Sequence, residues 1–160
     1  MTSRKSVLIR CDGSHELGLG HVVRSMAVAH EITALTPSPV IFLSRPDPVA
    51  AKLIEDAGFS LLPVPEFGSL DEYQRWIWKT AEDLKVALLI LDIRDDLPID
   101  ALRQLRQTGI VVATLDDPTE RRLETDLAFY PPVPQVDELS WEGFTGSLKV
   151  GWEFVILRKQ

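Results

Sequence analysis

Residues 18–24, Gly-Leu-Gly-His-Val-Val-Arg, place two glycines and a histidine at the start of a segment with helical periodicity. Free backbone N–H groups and the positive end of a helix dipole favour phosphate or another anion at such a start. The segment lacks the dinucleotide fingerprint G-x-G-x-x-G, because Val23 stands in place of the third glycine. Gly18 and Gly20 therefore indicate either an anion-binding loop or a plain turn.

His21 lies at the N-terminus of this predicted helix, where the dipole favours a neutral imidazole that can accept a proton. That position suits a general base, although a histidine here can also serve only to satisfy a loop carbonyl. Arg24 follows one turn later on the same face. It can neutralise a phosphate or hold the loop through Asp12, and the sequence does not choose between these roles.

Carboxylates follow three of the apolar runs that are predicted to be strands. Asp12 closes the first run, Asp92 lies near the end of the fourth, and Asp116 and Asp117 end the fifth. Ligands of open parallel sheets bind beyond the carboxyl ends of the strands, so these residues are candidates for a site. Asp12 can cap the loop backbone or meet the ligand. Neighbouring strand residues point in opposite directions, so at most one of Asp116 and Asp117 should face the cleft.

The elements that must position these side chains are visible as apolar runs alternating with helical segments. The runs cover residues 7–12, 39–45, 60–65, 87–93 and 109–117, and the helices are predicted over 21–35, 47–58, 70–85 and 99–109. This alternation is typical of a parallel sheet with helices on both faces, so we predict an α/β, Rossmann-like fold. The run 87–93 has almost no polar alternation, which is typical of a central strand.

The alternation ends after Asp126. We expect a short strand over 126–130, and then a proline-rich surface loop and a terminal extended segment over 131–160. The length of 160 residues fits one Rossmann-like domain, with its core in residues 1–130, and is too short for two. Because no helix follows the apolar stretch 152–157, we expect a second domain or a partner subunit to complete the fold.

The composition excludes several classes of protein. Seventeen basic and twenty-four acidic residues give a formal charge of −7, which argues against a nucleic-acid or anionic-membrane surface. No apolar stretch reaches the roughly eighteen residues of a membrane helix. The single cysteine, Cys11, suits a reducing cytoplasm and rules out an intramolecular disulfide. We expect no metal and no cofactor.

Residues 9–24 resemble the opening signature of the UDP-sugar hydrolases of pseudaminic acid biosynthesis and their spore-coat polysaccharide relatives. The family pattern joins R-x-D-x-S, I-G-x-G-H and x-x-R, and the matching residues are Arg10, Asp12, Ser14, Gly18, Gly20, His21 and Arg24. Looser similarities follow in order over residues 88–96, 114–132 and 151–158.

This resemblance implies a GT-B architecture, in which two Rossmann-like domains hold a nucleotide-linked sugar between them and this chain is the N-terminal half. Enzymes of the family release UDP from a diacetamido-trideoxyhexose by attack of water at the anomeric carbon. The resemblance makes His21 the catalytic acid/base. It assigns substrate binding to Asp12, Gly18, Gly20, Arg24, Asp92 and Asp117. Since the other half grips the nucleotide, we expect little turnover by residues 1–160 alone.

Two departures from the family pattern bear on specificity. Ile93 and Arg94 stand where the family has His-Tyr, and Tyr130-Pro131 replaces its asparagine region. Two other functions therefore stay open. One is the acceptor-binding half of a GT-B glycosyltransferase, and the other is an inactive half-domain that binds a partner protein.

Overall fold

The computed structural model describes residues 5–157, and the strands in this part of the chain form one parallel sheet. The strand order is β3-β2-β1-β4-β5-β6-β7. The strands are β1 (Ser6–Cys11), β2 (Val40–Ser44), β3 (Ser60–Pro63), β4 (Val86–Asp92), β5 (Val111–Leu115), β6 (Leu127–Tyr130) and β7 (Ser147–Val150). The predicted α/β, Rossmann-like fold is confirmed.

Four long helices connect the first five strands, in the places that periodicity predicts. They are α1 (Gly20–Leu35), α2 (Pro48–Asp56), α3 (Leu70–Asp83) and α4 (Ile99–Gln107). Asp47 caps α2 by accepting from the N–H groups of Val49 and Ala50, and Ser69 caps α3. The N-cap of α1 is Leu19, which makes no side-chain cap. Within residues 5–157, no helix has both the length and the apolar character of a membrane span.

The helices cover both faces of the sheet, because strand side chains alternate between the faces. On one face Leu89 and Leu91 of β4 share a buried cluster with residues of α3 and α4. On the other face Ile90 lies in a cluster with Val22 of α1 and Ile54 of α2. As predicted for the run 87–93, β4 is a central strand, paired with β1 and β5.

The strand order reverses between β1 and β4. From β1 the chain adds β2 and β3 on one side, then returns to add β4, β5 and β6 on the other. Cys11, the last residue of β1, pairs with Asp92, the last residue of β4. The carboxyl ends of two such strands form a crevice at which α/β proteins bind ligands. The end of β4 and the start of α1 both lie at this crevice.

The predicted strand over 126–130 is present as β6, but the segment after it differs from expectation. The loop includes a short helix, α5 (Pro134–Asp137), and packs on β6 through Trp141 and Phe144. The extended part is β7, whereas the apolar residues after it begin with a 3-10 turn at Trp152–Phe154. Ser147–Val150 therefore supplies the extended backbone that pairs with β6, and the apolar stretch 152–157 lies after it. Residues 158–160 lie outside the described part.

Candidate active site at the carboxyl edge of the sheet

The imidazole of His21 contacts the carboxylate of Asp92. His21 is the second residue of α1, and its Nδ1 lies 2.5 Å from Oδ1 of Asp92 at the end of β4. The Asp92 side chain is fully buried, whereas 26% of the His21 side chain is exposed. The pair therefore joins a buried charge to a ring that solvent or a ligand can reach.

Arg24 and Ser25 complete the surroundings of this carboxylate. Arg24 Nε donates to Asp92 Oδ2 at 2.8 Å and its Nη2 donates to Oδ1 at 2.5 Å, a two-pronged contact. Ser25 Oγ donates to Oδ2 at 3.4 Å. Burial alone would raise the pKa of Asp92, but hydrogen bonds from Arg24 and His21 outweigh it and hold that pKa below its ordinary value. Asp92 is therefore ionised at neutral pH.

The ionised carboxylate fixes the tautomer of His21. An ionised carboxylate only accepts hydrogen bonds, so Nδ1 carries a hydrogen, and in the neutral ring the lone pair lies on Nε2. A carboxylate in this position also stabilises the imidazolium that forms once Nε2 takes a proton. The His21–Asp92 pair is thus suited to general acid/base chemistry.

An open cleft of about 540 Å³ lies against His21. It is lined by Leu17, Gly20, His21, Val23, Arg24, Arg94, Asp116 and Ile156. Arg94 comes from the loop after β4, and Asp116 follows β5 in the left-handed backbone region at φ 55°. The start of α1, the loop after β4 and the loop after β5 therefore meet at one cleft beside His21.

The two predicted glycines play different structural parts. Gly18 has φ +77°, a left-handed backbone conformation that is strained in residues with a side chain. Gly20 begins α1 and lines the cleft, and a Cβ at this position would meet no atom within 4 Å. Gly13, which sequence analysis passed over, is packed tightly: a Cβ there would lie 2.6 Å from Cγ2 of Val22. The loop therefore depends on Gly13 and Gly18 for its shape, while Gly20 leaves open space at the ligand side.

Asp12 belongs to a second, buried network beside the first. Fully buried Arg10 donates to both oxygens of Asp12, at 2.6 and 2.8 Å, and the Arg45 backbone N–H donates to Oδ1 at 2.8 Å. Asp12 thus ties the loop after β1 to the loop after β2. Of the two roles left open for Arg24, the structure does not show the one in which it holds the loop through Asp12, because Arg24 pairs with Asp92 and Arg10 pairs with Asp12.

The Arg10 network continues into the loop after β4. Arg10 Nη2 donates to Asp95 Oδ2 at 2.7 Å, and its Nε donates to the hydroxyl of Tyr73 at 2.9 Å. Tyr73 in turn donates to Asp95 at 2.7 Å. Asp92 and Asp95 therefore belong to separate networks. In the part of the chain that the structure describes, no group of three or more His, Cys, Asp or Glu side chains is arranged to hold a metal ion.

Of Asp116 and Asp117, one lines the cleft, which agrees with the prediction that at most one of them does, although both follow β5 rather than lie in it. Asp116 lines the cleft, whereas Asp117 is buried and accepts from Arg121 Nε at 2.8 Å. The other Asp117 oxygen accepts from the backbone and hydroxyl groups of Thr119, at 2.8 and 2.7 Å. Neither Asp12 nor Asp117 lines the cleft. Contacts of these two residues with the substrate stay predictions.

Several residues of the site escaped sequence analysis. Arg94 was noted only as a departure from a family pattern, and Asp116 only as one of a pair. Tyr73 gave no signal, because a tyrosine within an amphipathic helix is indistinguishable from ordinary core. Cys11 is a buried core residue, and burial raises the pKa of its thiol to about 12.

Comparison with known proteins supports the fold more than any activity. No family model matches the chain. An uncharacterized protein of Methanocaldococcus jannaschii is 28% identical over 114 residues, which span 70% of this chain and 22% of that protein. The chain therefore covers about a fifth of this relative.

Three solved structures match most of the chain. MurG of Acinetobacter baumannii gives a TM-score of 0.63 at 14% identity, over 91% of this chain and 44% of MurG. A glycosyltransferase of Rickettsia africae gives 0.61 at 10%, over 92% and 43%. The UDP-GlcNAc 2-epimerase of Neisseria meningitidis, solved with UDP-GlcNAc, gives 0.61 at 12%, over 91% and 45%. The chain has the fold of the N-terminal half of these GT-B enzymes and spans less than half of each.

Proposed function

We propose that this chain is the N-terminal, catalytic half of an enzyme that acts on a nucleotide-linked sugar, with His21 as the acid/base. The observation that carries the proposal is the 2.5 Å contact between His21 Nδ1 and buried Asp92, at the rim of a cleft between strand ends. A histidine oriented in this way can take a proton from a nucleophile placed at Nε2.

The reaction we propose is displacement at the anomeric carbon. The nucleophile's oxygen bonds to that carbon while its proton passes to His21 Nε2. The bond from the same carbon to the phosphate oxygen breaks, and UDP leaves with the electron pair. Asp92 stabilises the resulting imidazolium, and Arg24 holds Asp92 in place through two hydrogen bonds.

We propose water as the nucleophile, which makes the enzyme a UDP-sugar hydrolase. The support is the resemblance of residues 9–24 to the hydrolases of pseudaminic acid biosynthesis, which place a histidine where His21 stands. The substrate in this proposal is a UDP-linked diacetamido-trideoxyhexose. Gly20 and Arg24 line the cleft and are proposed to meet it directly, while Gly18 shapes the loop that they share.

Transfer of the sugar to an acceptor hydroxyl is the second candidate. It is favoured by the likeness of the fold to MurG and to the Rickettsia africae glycosyltransferase. In this version the cleft holds an acceptor hydroxyl in the place of water, and His21 keeps the same role. The two candidates differ in the product alone, as free sugar or as a glycoside.

The nucleotide is proposed to bind on a second GT-B half, supplied by a C-terminal domain or a partner subunit. The chain spans 43 to 45% of the solved enzymes that share its fold. In this proposal residues 1–160 form one Rossmann-like domain, and activity requires both halves.

The decisive experiment measures UDP release from the UDP-sugar by the chain together with the nucleotide-binding half. His21→Ala is expected to lower turnover by about a hundredfold or more, since a general acid/base contributes about 10²–10⁴-fold. His30→Ala, on the same helix but outside this cleft, is the matched control. Equal turnover of the His21 variant and the unmodified protein would remove the assigned role.

Product analysis separates the remaining candidates. Free sugar in the presence of an added acceptor supports hydrolysis, and a glycoside of that acceptor supports transfer. If calorimetry detects no sugar-nucleotide binding by the assembled protein and a partner protein co-purifies, the inactive partner-binding half replaces both.

A further inference from the structure

We infer that Arg94 and Arg24 form an oxyanion-binding subsite beside His21, for a carboxylate or a phosphate group of the bound molecule. The inference rests on the proposed function for its context, since it places this group next to the proposed acid/base. Arg94 is not among the residues predicted to bind substrate. The inference depends on the position of its guanidinium group in the cleft.

Two guanidinium groups converge on one point of the cleft. Arg94 Nη2 lies 3.4 Å from Oδ2 of Asp116, and Arg24 Nη1 lies 3.8 Å from the same oxygen. Both distances are longer than a strong charged hydrogen bond of about 2.7–2.9 Å. A carboxylate oxygen is therefore already placed between the two arginines, but is held closely by neither.

The charges that line the cleft favour an anion. Arg24 and Arg94 contribute two positive charges, and Asp116 contributes one negative charge. Asp92 does not line the cleft, but its buried carboxylate is ion-paired with Arg24 and offsets the charge of that arginine. An anion is therefore favoured by the guanidinium groups that line the cleft, and not by a net positive charge of the whole site.

The arginines are also oriented before any ligand arrives. Arg24 uses Nε and Nη2 on Asp92, which leaves Nη1 directed towards Asp116. Arg94 Nη1 donates to its neighbouring carbonyl, that of Ile93, at 3.2 Å. A planar guanidinium fixed in this way loses less conformational freedom when it binds an oxyanion.

Asp116 then acts as the counter-ion that an incoming oxyanion displaces or joins. Its side chain is 37% exposed, so its carboxylate can rotate towards solvent, while its N–H stays bonded to the Phe129 carbonyl at 2.8 Å. In the transfer version of the proposed function, the oxyanion belongs to an acceptor sugar that carries a carboxylate, because a diacetamido-trideoxyhexose and water carry no anionic group. A phosphate of the nucleotide is the other source of the same chemistry.

The test measures binding of small anions to the purified chain by calorimetry or NMR titration, without turnover. The probes are D-glucuronate for a sugar carboxylate, inorganic phosphate and UDP for phosphate, and D-glucose as the neutral control. We expect at least one anionic probe to bind. Arg94→Gln should lower the affinity for that probe about tenfold, as expected for loss of one charged hydrogen bond. Arg103→Gln, an exposed ion-paired arginine on α4, should leave binding unchanged.

Removal of the counter-ion gives an effect of the opposite sign. Asp116→Asn keeps a residue type that tolerates the left-handed backbone, and it should strengthen binding of the same anion about twofold to fivefold. Preference for glucuronate assigns the oxyanion to a sugar carboxylate, and preference for phosphate or UDP assigns it to the nucleotide. The inference is overturned if no anion binds, or if Arg94→Gln and the unmodified protein bind the anion equally well. These binding results are independent of the His21 assay, because that assay measures turnover.

Discussion

His21 and Asp92 are 71 positions apart in the chain, and yet their side chains approach to 2.5 Å. The contact depends on two separate features of the fold. β1 and β4 are adjacent, which brings the end of β4 next to the loop that begins α1. The chain then starts α1 at Gly20, so that the second residue of the helix lies over the buried carboxylate. The proposed chemistry follows from this one contact.

Asp92→Asn should reduce turnover by about 10²–10⁴-fold while the protein stays folded. An asparagine amide can donate to His21 Nδ1, which favours the tautomer with the hydrogen on Nε2 and removes the proton acceptor. The measurement is kcat for UDP release by the assembled enzyme, with circular dichroism as the folding check. Asp56→Asn, in an exposed pair with Lys52, is the matched control. Full activity of the Asp92 variant would show that the carboxylate does not set the tautomer.

Arg10→Met should destabilise the protein by about 3 to 5 kcal/mol, because it removes the cation that bonds both oxygens of Asp12. It also leaves Asp95 with only the longer ion pairs to Arg121, at 3.5 Å, and to Arg45, at 3.9 Å. The measurement is the free energy of unfolding from urea titration. Arg103→Met removes an exposed arginine and should leave that free energy unchanged within error. A loss as small as that of the surface control would mean that water or Arg45 replaces Arg10.

Stability should decline in acid as the buried carboxylates take up protons. The pKa values of Asp12 and Asp92 lie below the ordinary 3.8, because bonds from Arg10 and Arg24 outweigh the opposing effect of burial. A carboxyl whose pKa is depressed by folding stabilises the protein above its unfolded-state pKa, and this stabilisation is lost as pH falls through the folded-state pKa. The free energy of unfolding should therefore be flat from neutral pH to about 5 and fall below about 4.

The slope of this acid decline identifies the groups responsible. Asp12→Asn should make the curve shallower below pH 4, since one proton fewer is taken up on unfolding. Asp56→Asn removes an exposed carboxylate and should leave the slope unchanged. Equal slopes for the Asp12 variant and the unmodified protein would assign the acid sensitivity to other carboxylates.

The sequence predicts the fold well and the site only in part, for a physical reason. Periodicity is local, so the apolar run of β4 and the helix that starts near His21 are both visible along the chain. Pairing between charged groups is not local. Arg24 has a carboxylate at Asp12 closer in sequence, but it binds Asp92, because the adjacency of β1 and β4 decides which carboxylate is near.

Arg10 shows a second limit of local patterns. An arginine within a strand is normally interpreted as facing solvent, but Arg10 is fully buried because Asp12, Tyr73 and Asp95 surround it. Only one of these partners lies near it in the sequence. The motif that contains Arg10 is visible in the sequence, whereas the reason for its arginine depends on α3 and the loop after β4.

Two single substitutions, at Gly18 and at Gly20, distinguish an effect on the geometry of the loop from an effect on ligand binding. Gly18→Ala forces a side chain into φ +77° and should lower the free energy of unfolding by about 1 to 2 kcal/mol. Gly20→Ala adds a Cβ that meets no atom within 4 Å at the first residue of α1, so stability should be maintained. Because Gly20 lines the cleft, the added methyl group should still raise KM for the sugar nucleotide. Urea titration and steady-state kinetics on both variants measure the two effects, and an unchanged KM in stable Gly20→Ala would place the substrate away from this part of α1.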